Sequence, residues 1–198
     1  MNLIGTEFDD GVLTVTLQDE ENRNALSVGL TSELAQTLDE AEGNPDVRVI
    51  ILTNSGRVFC AGADLSERSS RKEDKSSTKP IDPLEIFGRF RESSKPYIGK
   101  ISGHCVAGGM GIAAAMDISI SIEEAKFGFT EVRIGVAPAM ISVLCLPKMR
   151  PAEASEAFLR GNRFSASEAA RMGLINAAVP ANEIDSVIQE IVSDIKAG

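Results

Sequence analysis

Tryptophan is absent from the 198-residue sequence, tyrosine and histidine occur once each, and aromatic residues make up only 5% of it. Any core must therefore be built mainly from Ala, Val, Ile and Leu. The cysteines are few and odd in number; Cys60, Cys105 and Cys145 are far apart and sit among apolar or glycine neighbours. That pattern excludes a disulfide framework or a metal cluster and reads as reduced packing thiols. No stretch approaches the roughly 18 apolar residues of a membrane span, and the start MNLIGTEFDD lacks a basic segment followed by an apolar run. The expected location is therefore the cytoplasm, with no membrane partner. Positive charge is scarce, 20 Lys and Arg against 29 Asp and Glu, for a net charge of -9. Binding a nucleic-acid backbone needs clustered cations, so nucleic acid is excluded as a partner. A phosphorylated small molecule is not, because a helix N-terminus or a few local cations can hold one phosphate.

What is present is enough for one globular domain: 43% hydrophobic residues in a chain of this length can bury a single core. Gly11–Leu17 alternates Leu13, Val15 and Leu17 with Thr14 and Thr16, the pattern of a half-buried strand. The turn residues Asp9, Asp10 and Gly11 make Ile4–Phe8 its hairpin partner. Ser27 is placed to cap a helix carrying Leu30, Leu34 and Leu38, which Gly43, Asn44 and Pro45 stop. The continuous apolar run at 47–53 predicts a strand covered on both faces. Residues 66–80 are polar, charged and without periodicity, hence a solvated loop. A helix capped by Asp82 and opened by Pro83 should bury Leu84, Phe87 and Phe90, followed by strands at 97–102 and 118–122. The last third reads as helices at 151–160, 167–172 and 182–196, with a short connector at 175–179. Strand and helix pieces in alternation make the chain α/β.

Three segments concentrate glycine and alanine where backbone must come close to something: 59–65 (FCAGADL), 103–112 (GHCVAGGMGI) and 127–138 (FGFTEVRIGVAP). Gly109, Gly111 and Ala114 fit a G-x-G-x-x-A dinucleotide fingerprint with Glu131 downstream, but residues 103–108 intervene where the strand should end. The match is weak. His104, beside that run, is read as a packing or hydrogen-bonding residue, and Asp117 as a turn residue.

Taken together, in this order and spacing, and with Arg23-Asn-Ala-Leu26 upstream, the three segments resemble the enoyl-CoA hydratase/isomerase (crotonase) superfamily over nearly the whole chain. The resemblance implies a crotonase-like spiral of strand-strand-helix repeats with a helical C-terminal part, assembling as a homo-trimer or homo-hexamer. It implies an acyl-CoA thioester substrate, a place in fatty acid metabolism, and no metal or cofactor beyond the CoA carried by the substrate. The element Ala61-Gly62-Ala63-Asp64-Leu65 would border the CoA moiety together with Ala25, Gly109, Gly111 and Ala139. The amides of Ala63 and Gly108 would form the oxyanion hole, and Glu131 would be the acid/base. Two fixed amides stabilise an enolate-like thioester oxygen without reorganising, and Ala and Gly leave room for the approach. A carboxylate among Phe129, Val132 and Ile134 would be desolvated and suited to proton exchange near neutrality.

The sequence departs from that pattern in three places. Enoyl-CoA hydratases hold water between two glutamates, and the first falls on Gly111 here. Residues 138–142 (PAMIS) replace the usual P-G-x-G-G-T run, which leaves the helix amide of Ala139 available and enlarges the neighbouring side chains. Family members commonly continue into further C-terminal helices, so the expectation is one domain over 1–198 with that extension absent or truncated. Three functions follow from one carboxylate: hydration of a 2-enoyl-CoA, double-bond isomerisation by a single glutamate, or acyl-CoA binding without catalysis.

Overall fold

The computed structural model describes residues 2–65, 67 and 83–198. The loop expected at 66–80 and the cap expected at Asp82 lie, apart from Glu67, outside the described residues. The chain opens with β1 (Ile4–Asp9) and β2 (Val12–Leu17), an antiparallel hairpin in which Val15 and Leu17 are fully buried. In α1 (Val28–Gly43) the Ser27 hydroxyl accepts the Leu30 N–H, and Leu30, Leu34 and Leu38 form the buried stripe. β3 (Val49–Asn54) is buried at every residue, as its unbroken apolar run requires.

A pattern then repeats. β3 is followed by β4 (Val58–Cys60) and α2 (Pro83–Glu92). β5 (Tyr97–Ile101) is followed by β6 (His104–Val106) and α3 (Gly108–Ala115). β7 (Ile118–Ile122) is followed by β8 (Lys126–Gly128), a 3-10 turn at Thr130–Ile134, and α4 (Ala139–Cys145). The C-terminal part holds α5 (Pro151–Arg160), β9 (Phe164–Ser165), α6 (Ala166–Arg171), β10 (Ala177–Val179) and α7 (Ile184–Ala197). The first strand of each pair enters a six-stranded sheet ordered β1-β2-β3-β5-β7-β10, parallel beyond the opening hairpin. The second enters a smaller sheet, β4-β6-β8-β9. This is the strand-strand-helix spiral expected of the chain.

The smaller sheet positions the site. β4, β6 and β8 run parallel, so their C-terminal ends leave the same edge, each delivering one of the three Gly/Ala-rich segments. In open α/β sheets that edge is where ligands bind. One main core cluster fills the space between the sheets and the helices, while α7 covers the outer face of the large sheet through Ile184 and Ile188. All three cysteines are free and buried in the core. Among the described residues, no helix is long and apolar enough to cross a membrane.

A capping box holds the start of α6: the Ser165 hydroxyl accepts the Glu168 N–H, and the Glu168 carboxylate accepts the Ser165 N–H. Ser165→Ala should lower stability by about 1 kcal/mol, read as a fall in the denaturation midpoint with unchanged m-value. An unchanged midpoint would refute the cap's contribution.

Candidate active site

A cavity of about 830 Å³ opens at the edge where the three segments converge. Its walls are mainly apolar, with Leu26, Phe87, Ile134, Val136, Met140 and Ile141 prominent, and Glu131 is the only carboxylate among the described lining residues.

Two backbone features cross-brace its floor. The turn at Arg23 and Asn24, with φ of 55° and 51°, bends the chain so that Leu26 donates its N–H to the Gly62 carbonyl at 2.7 Å and pairs with Ala63. Gly62 has φ of +90°, which glycine adopts without cost. A methyl there would lie 2.6 Å from the Ala107 Cβ and 2.9 Å from the Gly108 nitrogen, so the first and second segments approach too closely for a side chain at Gly62. A methyl added at Gly108 would lie 3.6 Å from the Ala63 nitrogen.

The amides at this junction differ in their partners. Ala107 N–H donates to the Gly128 carbonyl at 3.0 Å, closing the ladder to β8. Ala107 itself has φ of 49° and ψ of −123°, a strained conformation for a residue with a side chain. The strain turns the next peptide out of the ladder at the start of α3. Among the described residues, neither the Ala63 N–H nor the Gly108 N–H meets an acceptor. Both residues line the cavity. Two donors without acceptors among the described residues therefore border one cavity, one of them at the positive end of a helix.

Glu131 sits in the first turn of the 3-10 segment, which Gly135 closes in the left-handed conformation at φ 75°. The Val136 N–H donates to the Glu131 carbonyl at 3.1 Å, fixing the backbone beneath the side chain. The carboxyl is half-buried, and its Oε2 is buried without a hydrogen-bond partner among the described residues. Burial raises its proton affinity above the ordinary glutamate range, with a bond from its own backbone opposing. The buried Cys145 thiol is pushed up to about 12, by burial first and then by the Glu131 charge, so it stays protonated.

The family model described as enoyl-CoA hydratase/isomerase matches residues 7–197. The chain belongs to the enoyl-CoA hydratase/isomerase family. Among solved structures, it is similar to an enoyl-CoA hydratase from Bacillus anthracis, at 30% identity and a TM-score of 0.90, covering 99% of this chain and 77% of that one. It is also similar to an enoyl-CoA hydratase from Mycobacterium avium, at 36% identity and a TM-score of 0.86, covering 99% and 76%. An enoyl-CoA hydratase from Mycobacterium tuberculosis is 33% identical over 189 residues, 93% of this chain and 71% of that protein.

Of the residues that the family pattern singled out, Ala61, Ala63, Leu65, Gly108, Glu131 and Ala139 line the cavity. Ala25, Gly62, Asp64, Gly109 and Gly111 do not, for different physical reasons. Ala25 is buried at the turn. Gly62 is the brace under the floor, its N–H held by Cys60 Sγ at 3.4 Å. Asp64 accepts the Asn22 amide at 2.8 Å. A side chain at Gly109 would meet the Cys60 carbonyl at 2.7 Å, and one at Gly111 would meet Ile141 at 2.7 Å and Phe87 at 2.8 Å. These last two glycines admit neighbouring groups rather than a dinucleotide phosphate. The Ala139 amide is not available either, because it donates to the Ala137 carbonyl at 2.8 Å. His104 accepts the Lys126 N–H through Nδ1 at 3.1 Å, a hydrogen-bonding role between β6 and β8. Asp117 accepts the Tyr97 N–H at 2.8 Å and so ties down the start of β5. The sequence did not single out Thr130, Arg133 or Arg163 as cavity residues; they are brought there by the 3-10 turn and by the strand start at β9.

Proposed function

We propose that the chain hydrates a 2-enoyl-CoA thioester, with Glu131 as the acid/base and the Ala63 and Gly108 amides holding the thioester oxygen. The observation that carries this reading is the convergence on one apolar cavity, among the described residues, of two amides without acceptors and a single partly desolvated carboxylate. The Glu131 carboxylate takes a proton from water as the water oxygen bonds to C3. The C2=C3 electron pair moves toward the thioester carbonyl, whose oxygen gains charge facing the two amides. Protonated Glu131 then returns its proton to C2, which restores the carboxylate and gives the 3-hydroxyacyl-CoA. One carboxylate acting in turn as base and acid completes the addition without a second.

The same geometry supports a second reading, double-bond isomerisation, because one base can also take a proton at C2 and return it at C4. The third reading, binding without turnover, is opposed by Glu131, whose Oε2 is buried with no partner among the described residues and whose proton affinity burial raises. By family pattern the chain forms one domain, assembles as a homo-trimer or homo-hexamer, and works in the cytoplasm on fatty acyl thioesters without a further cofactor.

Product analysis with matched 2-enoyl- and 3-enoyl-CoA esters tests the proposal. Hydration predicts a 3-hydroxyacyl-CoA from the 2-enoyl ester. Conversion between the two enoyl esters without water uptake would select the isomerase, and thioester binding without any product would select the binder. Because base catalysis needs ionised Glu131, kcat/KM should fall as pH drops through its raised pKa, so the acid limb should lie above the ordinary glutamate range. An acid limb at or below that range would remove Glu131 from the role.

A further inference from the structure

Gly111 follows Gly108 by three residues on α3, so it faces a similar direction about 4.5 Å deeper along the helix axis. The space that a side chain there would need is already taken. A Cβ at this position would lie 2.7 Å from Ile141 Cγ2, with Phe87 Cζ and Cε1 at 2.8 and 3.1 Å. Phe87 comes from α2 and Ile141 from α4, and both are shielded from bulk solvent while lining the cavity. Three elements therefore meet at one point, and glycine is the residue that lets two side chains rest directly on the helix backbone.

Both side chains line the cavity that also holds Ala63, Gly108 and Glu131. With the thioester oxygen at the amides of Ala63 and Gly108, and C2 and C3 beside Glu131, the remaining acyl carbons occupy the rest of this cavity, whose wall includes Phe87 and Ile141. The surface that meets them is an aromatic ring edge and a branched aliphatic side chain, neither with a polar atom. A charged or hydroxylated acyl end would lose its water there with no partner in return. Resting on the CoA-thioester reading above, we propose that Phe87 and Ile141, seated on Gly111, form the end wall of the acyl subsite and set the size of the apolar acyl group accepted. Gly111 is then a seat for this wall rather than a vacant catalytic position.

Calorimetric titration with saturated straight-chain acyl-CoA esters of increasing length, butanoyl to decanoyl, tests this without turnover. Phe87→Ala and Ile141→Ala should shift the preferred length upward, raising the affinity for longer relative to shorter esters by roughly tenfold or more. Gly111→Ala, which drives both side chains into the cavity, should shift it downward. Ile141→Val, a gentler truncation, should shift it in the same direction as Ile141→Ala and keeps the test open should either alanine variant melt below the assay temperature. An unchanged length preference in the folded variants, with thioesters still bound, overturns the proposal. Failure of the wild type to bind any acyl-CoA overturns the underlying reading of the site, and this one with it.

Discussion

Glu131→Gln should hydrate crotonyl-CoA on the order of 10²- to 10⁴-fold more slowly than the wild type, followed as loss of the conjugated thioester absorbance. Glutamine keeps the side chain's shape but cannot take and return a proton, and no other carboxylate among the described cavity residues can substitute. A rate within a few-fold of wild type would remove Glu131 from the chemistry. Stability should move in the opposite sense. A carboxyl whose folded pKa is raised favours the folded state below its unfolded pKa, and that contribution is lost as pH rises through the folded value. At neutral pH the ionised, partly desolvated Glu131 is therefore a liability that the neutral amide lacks. Glu131→Gln should melt no lower than wild type at pH 7, with its relative advantage shrinking as the pH is lowered into the acid range. A lower melting temperature at neutral pH would mean that the carboxylate has a structural partner.

The long elements were legible because each carries its own periodic signal. Leu30, Leu34 and Leu38 mark one face of α1, and the unbroken run through β3 marks a strand with no solvent face. The strands of the small sheet were not. β4, β6 and β8 are three residues each, too short for any alternation to show, and their existence depends on pairing with strands distant in sequence. What the sequence did reveal was their consequence, glycine and alanine at the positions where three chain segments approach one another.

The site was legible to the same depth. Ala63, Gly108 and Glu131 were singled out by the resemblance of three segments to one family, a choice that the small residues beside the two amides and the apolar neighbours of the acid support. Phe87 looked like one more apolar helix residue, since nothing local distinguishes a side chain facing the core from one facing a cavity in that core. Gly111 looked like a missing carboxylate. Only the packing of α2 and α4 against α3 reveals that its place is filled.

The strongest test of the proposed oxyanion cradle is a methyl group placed where there is no room for one. Gly62→Ala should reduce kcat on the order of 10²- to 10³-fold, the usual effect of losing one oxyanion donor. Its Cβ would overlap Ala107 Cβ at 2.6 Å and the Gly108 nitrogen at 2.9 Å, so the second segment must move away from the first. The variant also forces alanine into φ near +90°, a strain of about 1–3 kcal/mol. Gly11→Ala separates the two effects. Gly11 has a similar φ of +80°, but it lies in the β1–β2 turn, and the nearest atom to an added methyl is 3.4 Å away. Both variants should lose stability, but Gly11→Ala should retain wild-type kcat. If Gly62→Ala turned over normally despite its lowered melting temperature, the separation between the Ala63 and Gly108 amides would be irrelevant to the rate. The thioester oxygen would then have to be held elsewhere.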